Sequence, residues 1–220
     1  RRPIRKRRLL STIEVAKMAF TYFFRDTETL YQVATHVLEP LRDAPSLRIW
    51  DAGCATGEET YSLSILIAET LGIERLETTH IVASDHEENS SFRSFVEEGE
   101  FPERIMRDCP RADWLMRHTT SGRRADHVRF ANYLRRPISY LRHDLLSLTA
   151  VGVDFDLIVC KNVLLHFPPE MQQEVVGMFY WALKPNGYLV FDRQQALPSP
   201  FSGVFREVEP GFSLYHKKGP

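Results

Sequence analysis

The sequence is poor in cysteine and has no long apolar run. Its 220 residues include three cysteines, Cys54, Cys109 and Cys160, which are far apart and odd in number. This usage favours reduced thiols in a cytosolic protein over a disulfide framework or a zinc site. No apolar stretch is long enough to span a bilayer, and no apolar core of a signal peptide follows the basic first residues. We therefore expect a cytoplasmic protein that holds no metal and is not inserted in a membrane.

The sequence also lacks a strong net charge of either sign. Its formal charge of −1 argues against a general nucleic-acid binder. A chain of 220 residues without an internal repeat fits one α/β domain with a small appendage, and we expect a monomer. Residues 1–8 include six basic residues, which either contact an acidic partner or form a solvated tail. We therefore treat residues 1–20 as a basic N-terminal segment or linker and residues 21–220 as the main domain.

The candidate nucleotide site lacks the lysine that a triphosphate site needs. An apolar run at 47–50 predicts a buried strand, Gly53 and Gly57 follow it, and apolar residues at helical spacing begin at Tyr61. Strand, glycine turn and helix form the layout of a nucleotide site at the carboxyl edge of a parallel sheet. The pattern D-x-G-x-x-x-G-E-E is neither the dinucleotide motif nor the P-loop motif. An ordinary strand-to-helix turn is the alternative interpretation.

The acids of this region favour a cationic ligand. Two carboxylates stand where a pyrophosphate would need amides or cations. S-adenosylmethionine (AdoMet) carries an ammonium and a sulfonium and no phosphate. Asp85 follows the second predicted strand, where an acid commonly binds the ribose hydroxyls of an adenosine ligand. Alternatively, Asp85 is the N-cap of a helix predicted over residues 87–97.

Further candidates lie in a lid and at the ends of other strands. Consecutive aromatic residues before Arg25 predict a lid whose rings pack inward while Arg25 reaches a polar site. Asp144 follows a predicted strand and can accept a hydrogen bond from an adenine amine. Asn162 and His166 follow the buried strand 155–160, at the edge where open α/β sheets bind ligands. His166 is either functional there or a structural histidine.

Several stretches together resemble the chemotaxis receptor glutamate methyltransferase (CheR) family. They are T-Y-F-F-R-D at 21–26, A-G-C-A-T-G-E-E at 52–59, A-S-D at 83–85, F-D-L-I-V-C-K-N-V at 155–163 and L-K-P-N-G at 183–187. The resemblance implies an α/β class I AdoMet-dependent methyltransferase with a Rossmann-like, mostly parallel sheet and a C-terminal antiparallel strand. It also implies a small antiparallel β-subdomain, inserted at about 113–134 in a methyltransferase domain over 21–220. Most of the family's N-terminal helical domain would be absent.

The resemblance also implies a set of cofactor-binding residues. They are Thr21, Arg25, Glu58, Asp85, Asp144, Leu145, Lys161 and Asn162. Thr21 and Arg25 would reach over AdoMet from the lid. Glu58 would meet the methionyl ammonium and Asp85 the ribose.

The other implied positions lie toward the adenine and the methyl group. Asp144 with Leu145 would frame the adenine. Lys161, where the family usually has arginine, would line the methyl-donor side with Asn162. His166 stands where the family commonly has tyrosine.

The implied activity is O-methylation of glutamate side chains on the cytoplasmic helices of a chemoreceptor, with S-adenosylhomocysteine as the second product. A glutamate is ionised at neutral pH, so no strong base is needed and positioning would supply most of the acceleration. Arg25 and His166 are the catalytic candidates that orient the acceptor. An amine or phenol acceptor would instead need a base, and His166 could serve as one. A methyltransferase for a small molecule or another protein, and a non-catalytic AdoMet-binding module, are the alternatives.

Overall fold

The computed structural model describes residues 21–86, 91–107 and 109–219. The predicted basic segment 1–20 and the start of the predicted helix over 87–97 lie outside the described residues. No described helix combines the length and the apolar character that crossing a membrane requires.

A mostly parallel sheet of seven strands forms the centre of the fold. In chain order, the strands of the structure are β1 Leu47–Ala52, β2 Thr79–Asp85, β3 Glu100–Pro102, β4 Thr119–Ser121, β5 His127–Phe130, β6 Ile138–Arg142, β7 Phe155–Cys160, β8 Leu183–Phe191, β9 Phe205–Glu207 and β10 Leu214–Lys217. The order across the large sheet is β6-β2-β1-β7-β8-β10-β9. Strand β10 is antiparallel to both of its neighbours, β8 and β9. The predicted fold class, with its antiparallel strand near the C-terminus, is therefore confirmed.

Helices connect the strands. They are α1 Thr27–Val33, α2 Glu58–Leu71, α3 Ser91–Glu98, α4 Arg104–Arg107, α5 Ala112–Arg117, α6 Asn132–Arg135 and α7 Pro169–Ala182. Helix α1 continues through a π-helical turn, Ala34–Leu38, and a 3-10 turn, Glu39–Leu41. Short 3-10 turns also cover Ile73–Thr78, Leu145–Ser147, Leu164–His166 and Ser199–Phe201.

Both faces of the large sheet are buried. Along β1, Ile49 packs in one hydrophobic cluster and its neighbour Trp50 packs in another. Successive strand residues point to opposite faces, so these two clusters lie on the two sides of the sheet. This explains why β1 and β7 are buried along almost their whole length rather than at alternate residues.

A second, antiparallel sheet of three strands has the order β3-β5-β4 and forms the small β-subdomain. Its first strand precedes the stretch 113–134 that the sequence predicts for it. Phe130 of β5 stacks on Tyr61 of α2, with ring centroids 4.4 Å apart, and meets Phe101 of β3 edge-on. Phe23 of the lid packs edge-on against Phe101 and Phe130, at 5.1 and 5.4 Å. One aromatic cluster thus joins the subdomain, the lid and the helix that begins at the glycine turn.

Because Phe130 contacts three other rings in this cluster and is 1% exposed, its truncation should leave a cavity. We expect Phe130→Ala to lower the free energy of unfolding by about 3–5 kcal/mol, measured by urea denaturation. The matched control is Met116→Ala, because Met116 is 68% exposed and its truncation should change stability little. Equal stability losses for the two variants would contradict the central role of the cluster.

Candidate active site

A cleft of about 530 Å³ opens at the carboxyl ends of β1, β2 and β7. The strand order reverses between β1 and β7, which is where open α/β sheets bind ligands. Six of the predicted site residues line this cleft, namely Thr21, Arg25, Asp85, Lys161, Asn162 and His166. Glu58, Asp144 and Leu145 are not among the described residues that line it.

The loop after β1 follows the end of β2 closely. The backbone amides of Gly53 and Cys54 both donate to the carbonyl oxygen of Ser84, at 2.8 and 3.0 Å. Gly53 has a φ of +94°, and a Cβ added there would lie 2.3 Å from a methyl group of Val163. Glycine is therefore required at this position both by conformation and by space.

Asp85 and Glu59 bring negative charge to the cleft. An oxygen of the Asp85 carboxylate accepts a hydrogen bond from the amide of Ala55 at 2.9 Å, so Asp85 also supports the glycine loop. Glu59, in the first turn of α2, lines the cleft and forms an ion pair with Lys161 at 2.9 Å. The sequence prediction had assigned the carboxylate at this end of the helix to Glu58.

Glu58 is buried beside the cleft, at 6% exposure. Its carboxylate accepts a hydrogen bond from the Thr56 hydroxyl at 2.5 Å. Successive helical residues point about 100° apart, so Glu58 and its neighbour Glu59, which lines the cleft, point in different directions. Burial raises the pKa of Glu58 to about 7.

Asp51 adds a further buried carboxyl group beneath the loop. It is 1% exposed and accepts a hydrogen bond from the Thr60 hydroxyl at 2.5 Å. Burial first, and then the nearby charge of Glu59, raises the pKa of Asp51 well above its usual range. A site with this excess of carboxyl groups favours a ligand that carries positive charge.

The lid covers the cleft through a strained turn. Phe24 and Asp26 have φ values of +56° and +57°, in the left-handed region. Phe24 is buried as predicted, and its amide donates to the hydroxyl of Ser62 at 2.8 Å. These contacts leave Thr21 and Arg25 on the wall of the cleft.

The wall opposite the glycine loop begins directly after β7. Lys161 is buried, and its amine donates to the backbone carbonyl of Arg25 at 3.1 Å. Asn162 has a left-handed φ of +58°, and its amide nitrogen donates to the carboxylate of Asp192. His166 is exposed at the end of a 3-10 turn, so it faces the entrance of the cleft.

Asp144 and Leu145 lie beside the cleft rather than in its wall. The Asp144 carboxylate accepts from the amide of Leu146 at 2.9 Å and thereby caps a 3-10 turn. Leu145 is 7% exposed and packs in the core. The amide of His143 donates to the carbonyl of Asp85 at 2.9 Å, so the segment that carries both residues runs next to Asp85. A role at the adenine stays a prediction for both.

Sequence reasoning missed two acidic residues of the cleft. Glu59 was visible in the motif, but the sequence did not show which glutamate faces inward. Asp192 follows β8, and its position at the carboxyl end of a central strand was the available signal.

The family model for the SAM-binding domain of CheR methyltransferases matches residues 19–210. The chain belongs to the CheR methyltransferase family. The cofactor of this CheR domain is therefore AdoMet. The site fits this cationic molecule, since Glu59 and Asp85 line the cleft and Asp51 lies buried beneath it.

Curated relatives of this CheR domain are longer than the chain. A chemotaxis protein methyltransferase of Listeria monocytogenes is 31% identical over 169 residues, which cover 77% of this chain and 60% of the relative. A 104.1 kDa protein of Rhodobacter capsulatus is 34% identical over 182 residues, which cover 80% of this chain and 18% of the relative.

Among solved structures, the rRNA methyltransferase aviRa of Streptomyces viridochromogenes superposes with a TM-score of 0.56. The match covers 91% of this CheR chain and 86% of aviRa, at 14% sequence identity. At that identity the likeness shows the methyltransferase fold alone.

Replacement of Asp85 tests the predicted contact with the ribose. We expect Asp85→Ala to weaken binding of S-adenosylhomocysteine about 10- to 100-fold if one charge-assisted hydrogen bond is lost, and more if two are lost. Isothermal titration calorimetry measures the change. Asp43→Ala is the control, since Asp43 is exposed before β1, at the opposite edge of the sheet. Unchanged affinity in Asp85→Ala would place the ribose elsewhere.

The raised pKa of Glu58 predicts a pH dependence of stability. The folded state holds this proton up to a pKa of about 7, whereas the ordinary value is 4.5. The folded state therefore binds the proton more tightly, and stability from this group is lost as pH rises from about 4.5 to 7.

Glu58→Gln should remove that loss, which amounts to as much as about 1.4 kcal/mol for each pH unit. Urea denaturation at several pH values measures it, with the exposed Glu209→Gln as control. A wild-type pH slope in Glu58→Gln would show that Glu58 ionises normally.

Proposed function

We propose that this chain transfers a methyl group from AdoMet to glutamate side chains of chemoreceptors. The observation that carries the proposal is the family match over residues 19–210 on a chain whose cleft is acidic at the carboxyl edge of the sheet. Relatives named chemotaxis protein methyltransferase support the biological setting. When bound, AdoMet supplies the activated methyl group.

The cofactor side of the cleft is formed by the residues after β1 and β2. We assign the ribose to Asp85 and the methionyl ammonium to Glu59, in place of the predicted Glu58, because Glu59 lines the cleft. Thr21 and Arg25 approach from the lid. Asp144 and Leu145 remain our assignment for the adenine, next to Asp85.

The acceptor side lies at the entrance, between the lid and the turn after β7. Arg25 and His166 both line the cleft there and can orient a carboxylate. A glutamate with an ordinary pKa is ionised at neutral pH, so these residues need to position the oxygen rather than remove a proton. Orientation and the exclusion of water can lower the barrier by about 7–11 kcal/mol in favourable cases.

The remaining assignments concern the partner and the organisation of the chain. We propose that the acceptor glutamates lie on cytoplasmic helices of the receptor and that the protein acts in the cytoplasm as a monomer. We also propose a basic segment before residue 21, followed by the methyltransferase domain with an inserted β-subdomain that includes the predicted stretch near 113–134 and the strand β3 before it. The small three-stranded sheet supports that insertion.

A second candidate is methylation of an amine or phenol on a small molecule or another protein. The exposed His166 at the cleft entrance favours it, because a histidine there can act as a general base. The two candidates differ in the chemistry of the product and in the role of His166.

Labelled AdoMet, supplied with fragments of chemoreceptor cytoplasmic helices, separates the candidates. We expect transfer of label into methyl esters, which alkali releases as methanol. Alkali-stable label would support the second candidate. Binding of S-adenosylhomocysteine without transfer to any acceptor would indicate a non-catalytic module instead.

The same assay with His166→Gln and His166→Ala completes the test. Glutamine keeps a hydrogen-bonding group but cannot act as a base near neutral pH, so His166→Gln should retain most of the activity if His166 only orients a carboxylate. A loss of about 10²- to 10⁴-fold in both variants would assign general-base catalysis to His166.

A further inference from the structure

The amine of Lys161 joins two parts of the site that are far apart in the sequence. It lies 2.9 Å from a carboxylate oxygen of Glu59, at the start of α2. It also donates a hydrogen bond to the backbone carbonyl of Arg25 in the lid, at 3.1 Å. The Lys161 side chain is 1% exposed and that of Glu59 is 15% exposed. The bridge is therefore largely shielded from water.

The lid turn depends on such external contacts. Its two left-handed residues, Phe24 and Asp26, are strained relative to ordinary backbone. Three successive lid carbonyls accept hydrogen bonds. The thiol of Cys109 reaches Phe23 at 3.5 Å, the hydroxyl of Thr27 reaches Phe24 at 2.8 Å, and Lys161 reaches Arg25. Of these three donors, Lys161 alone is charged and belongs to the wall of the cleft.

We infer that Lys161 is a positioning residue that ties the lid to the start of α2. Its amine holds the backbone carbonyl of Arg25 and the carboxylate of Glu59 at the same time. An ammonium has three donors, so one side chain can satisfy both partners. The tie fixes Arg25 over the cleft and holds the Glu59 carboxylate against it. Any contribution of this tie to catalysis rests on the proposed function, but the tie itself does not.

Hydrogen exchange of the lid amides, measured without AdoMet and without a methyl acceptor, tests the tie directly. The amides of Phe24 and Arg25 are hydrogen bonded, to Ser62 at 2.8 Å and to Tyr22 at 3.3 Å, so they should be protected from exchange. We expect Lys161→Met to speed their exchange about tenfold or more, since a charge-assisted hydrogen bond that holds the lid is lost.

Lys184→Met is the matched control. Lys184 forms a similar ion pair with Asp156, at 2.7 Å, but near the start of β7 at the opposite edge of the sheet. This variant should leave exchange in the lid unchanged. Equal acceleration in both variants would overturn the inference, because it would reflect general destabilisation.

A double variant covers the case in which Lys161→Met fails to fold because the largely enclosed Glu59 carboxylate is left without its partner. Glu59→Gln with Lys161→Met removes both charges and should fold, yet its lid should still exchange faster. Glu59→Gln alone keeps the bond from Lys161 to Arg25, so its lid should exchange like the wild type. Wild-type exchange in the double variant would overturn the inference.

Binding and activity provide a second readout. We expect Lys161→Met to weaken S-adenosylhomocysteine binding about tenfold, and Lys161→Arg to restore it, because a guanidinium also donates to two partners. If Lys161→Arg restored neither S-adenosylhomocysteine binding nor the protection of the lid amides from exchange, the tie would be contradicted. A protein that binds no S-adenosylhomocysteine would refute the proposed function, whereas the exchange experiment would still decide the role of Lys161.

Discussion

A cluster of enclosed acidic side chains at one edge of the sheet is the constraint on which the rest of this molecule depends. Asp51 and Glu58 are almost fully enclosed, and Glu59 and Asp85 line the cleft beside them. Enclosed carboxylates are costly unless they are paired, hydrogen bonded or protonated. The molecule uses all three solutions: Lys161 pairs with Glu59, threonine hydroxyls bond to Asp51 and Glu58, and burial raises the pKa of both of these acids. A cationic ligand offsets the remaining charge, and AdoMet carries two positive groups.

The glycine loop can present these acids because the elements around it are fixed by packing. Tyr61, two residues after Glu59, stacks on Phe130 and donates to the carbonyl of Val96 at 2.7 Å. The start of α2 is thereby anchored to the β-subdomain. Phe23 enters the same aromatic cluster from the lid. The glycine loop, the lid and the subdomain therefore share one core. A substitution in that core should alter the geometry of the cleft even where the substituted residue does not contact a ligand.

The sequence was most informative where one residue type has one physical use. Gly53 and Gly57 both adopt the left-handed region, and the strand, turn and helix around them lie where their pattern predicts. The pattern could not show which of the adjacent acids Glu58 and Glu59 lines the cleft, since they are the same residue type and differ only in the direction in which they leave the helix. Residues 184–187, with the proline, asparagine and glycine typical of a turn, interrupt β8: its pairing with β7 passes from Leu183 directly to Tyr188, and Asn186 has a left-handed φ of +63°. Local composition indicates that turn, but it does not show that residues on both sides of it pair with β7 as one strand, which is a tertiary effect.

The charges of the cleft also suit the proposed acceptor. The acidic residues Glu59 and Asp85 repel a glutamate. Arg25 and His166 lie toward the entrance, so the incoming carboxylate meets these polar or cationic groups first. The proposed reaction joins a cationic donor to an anionic acceptor. The donor loses its sulfonium charge and the acceptor loses its carboxylate charge. Attraction between opposite charges is stronger in a shielded site than in water, so the proposed donor and acceptor would attract each other more strongly in this cleft than in solution. The products of the proposed reaction have lost that attraction, which would favour their release. Lys161 contacts both the Arg25 carbonyl of the lid and the Glu59 carboxylate of the cleft, so the inferred tie would make the position of the lid depend on the same charges that select the donor.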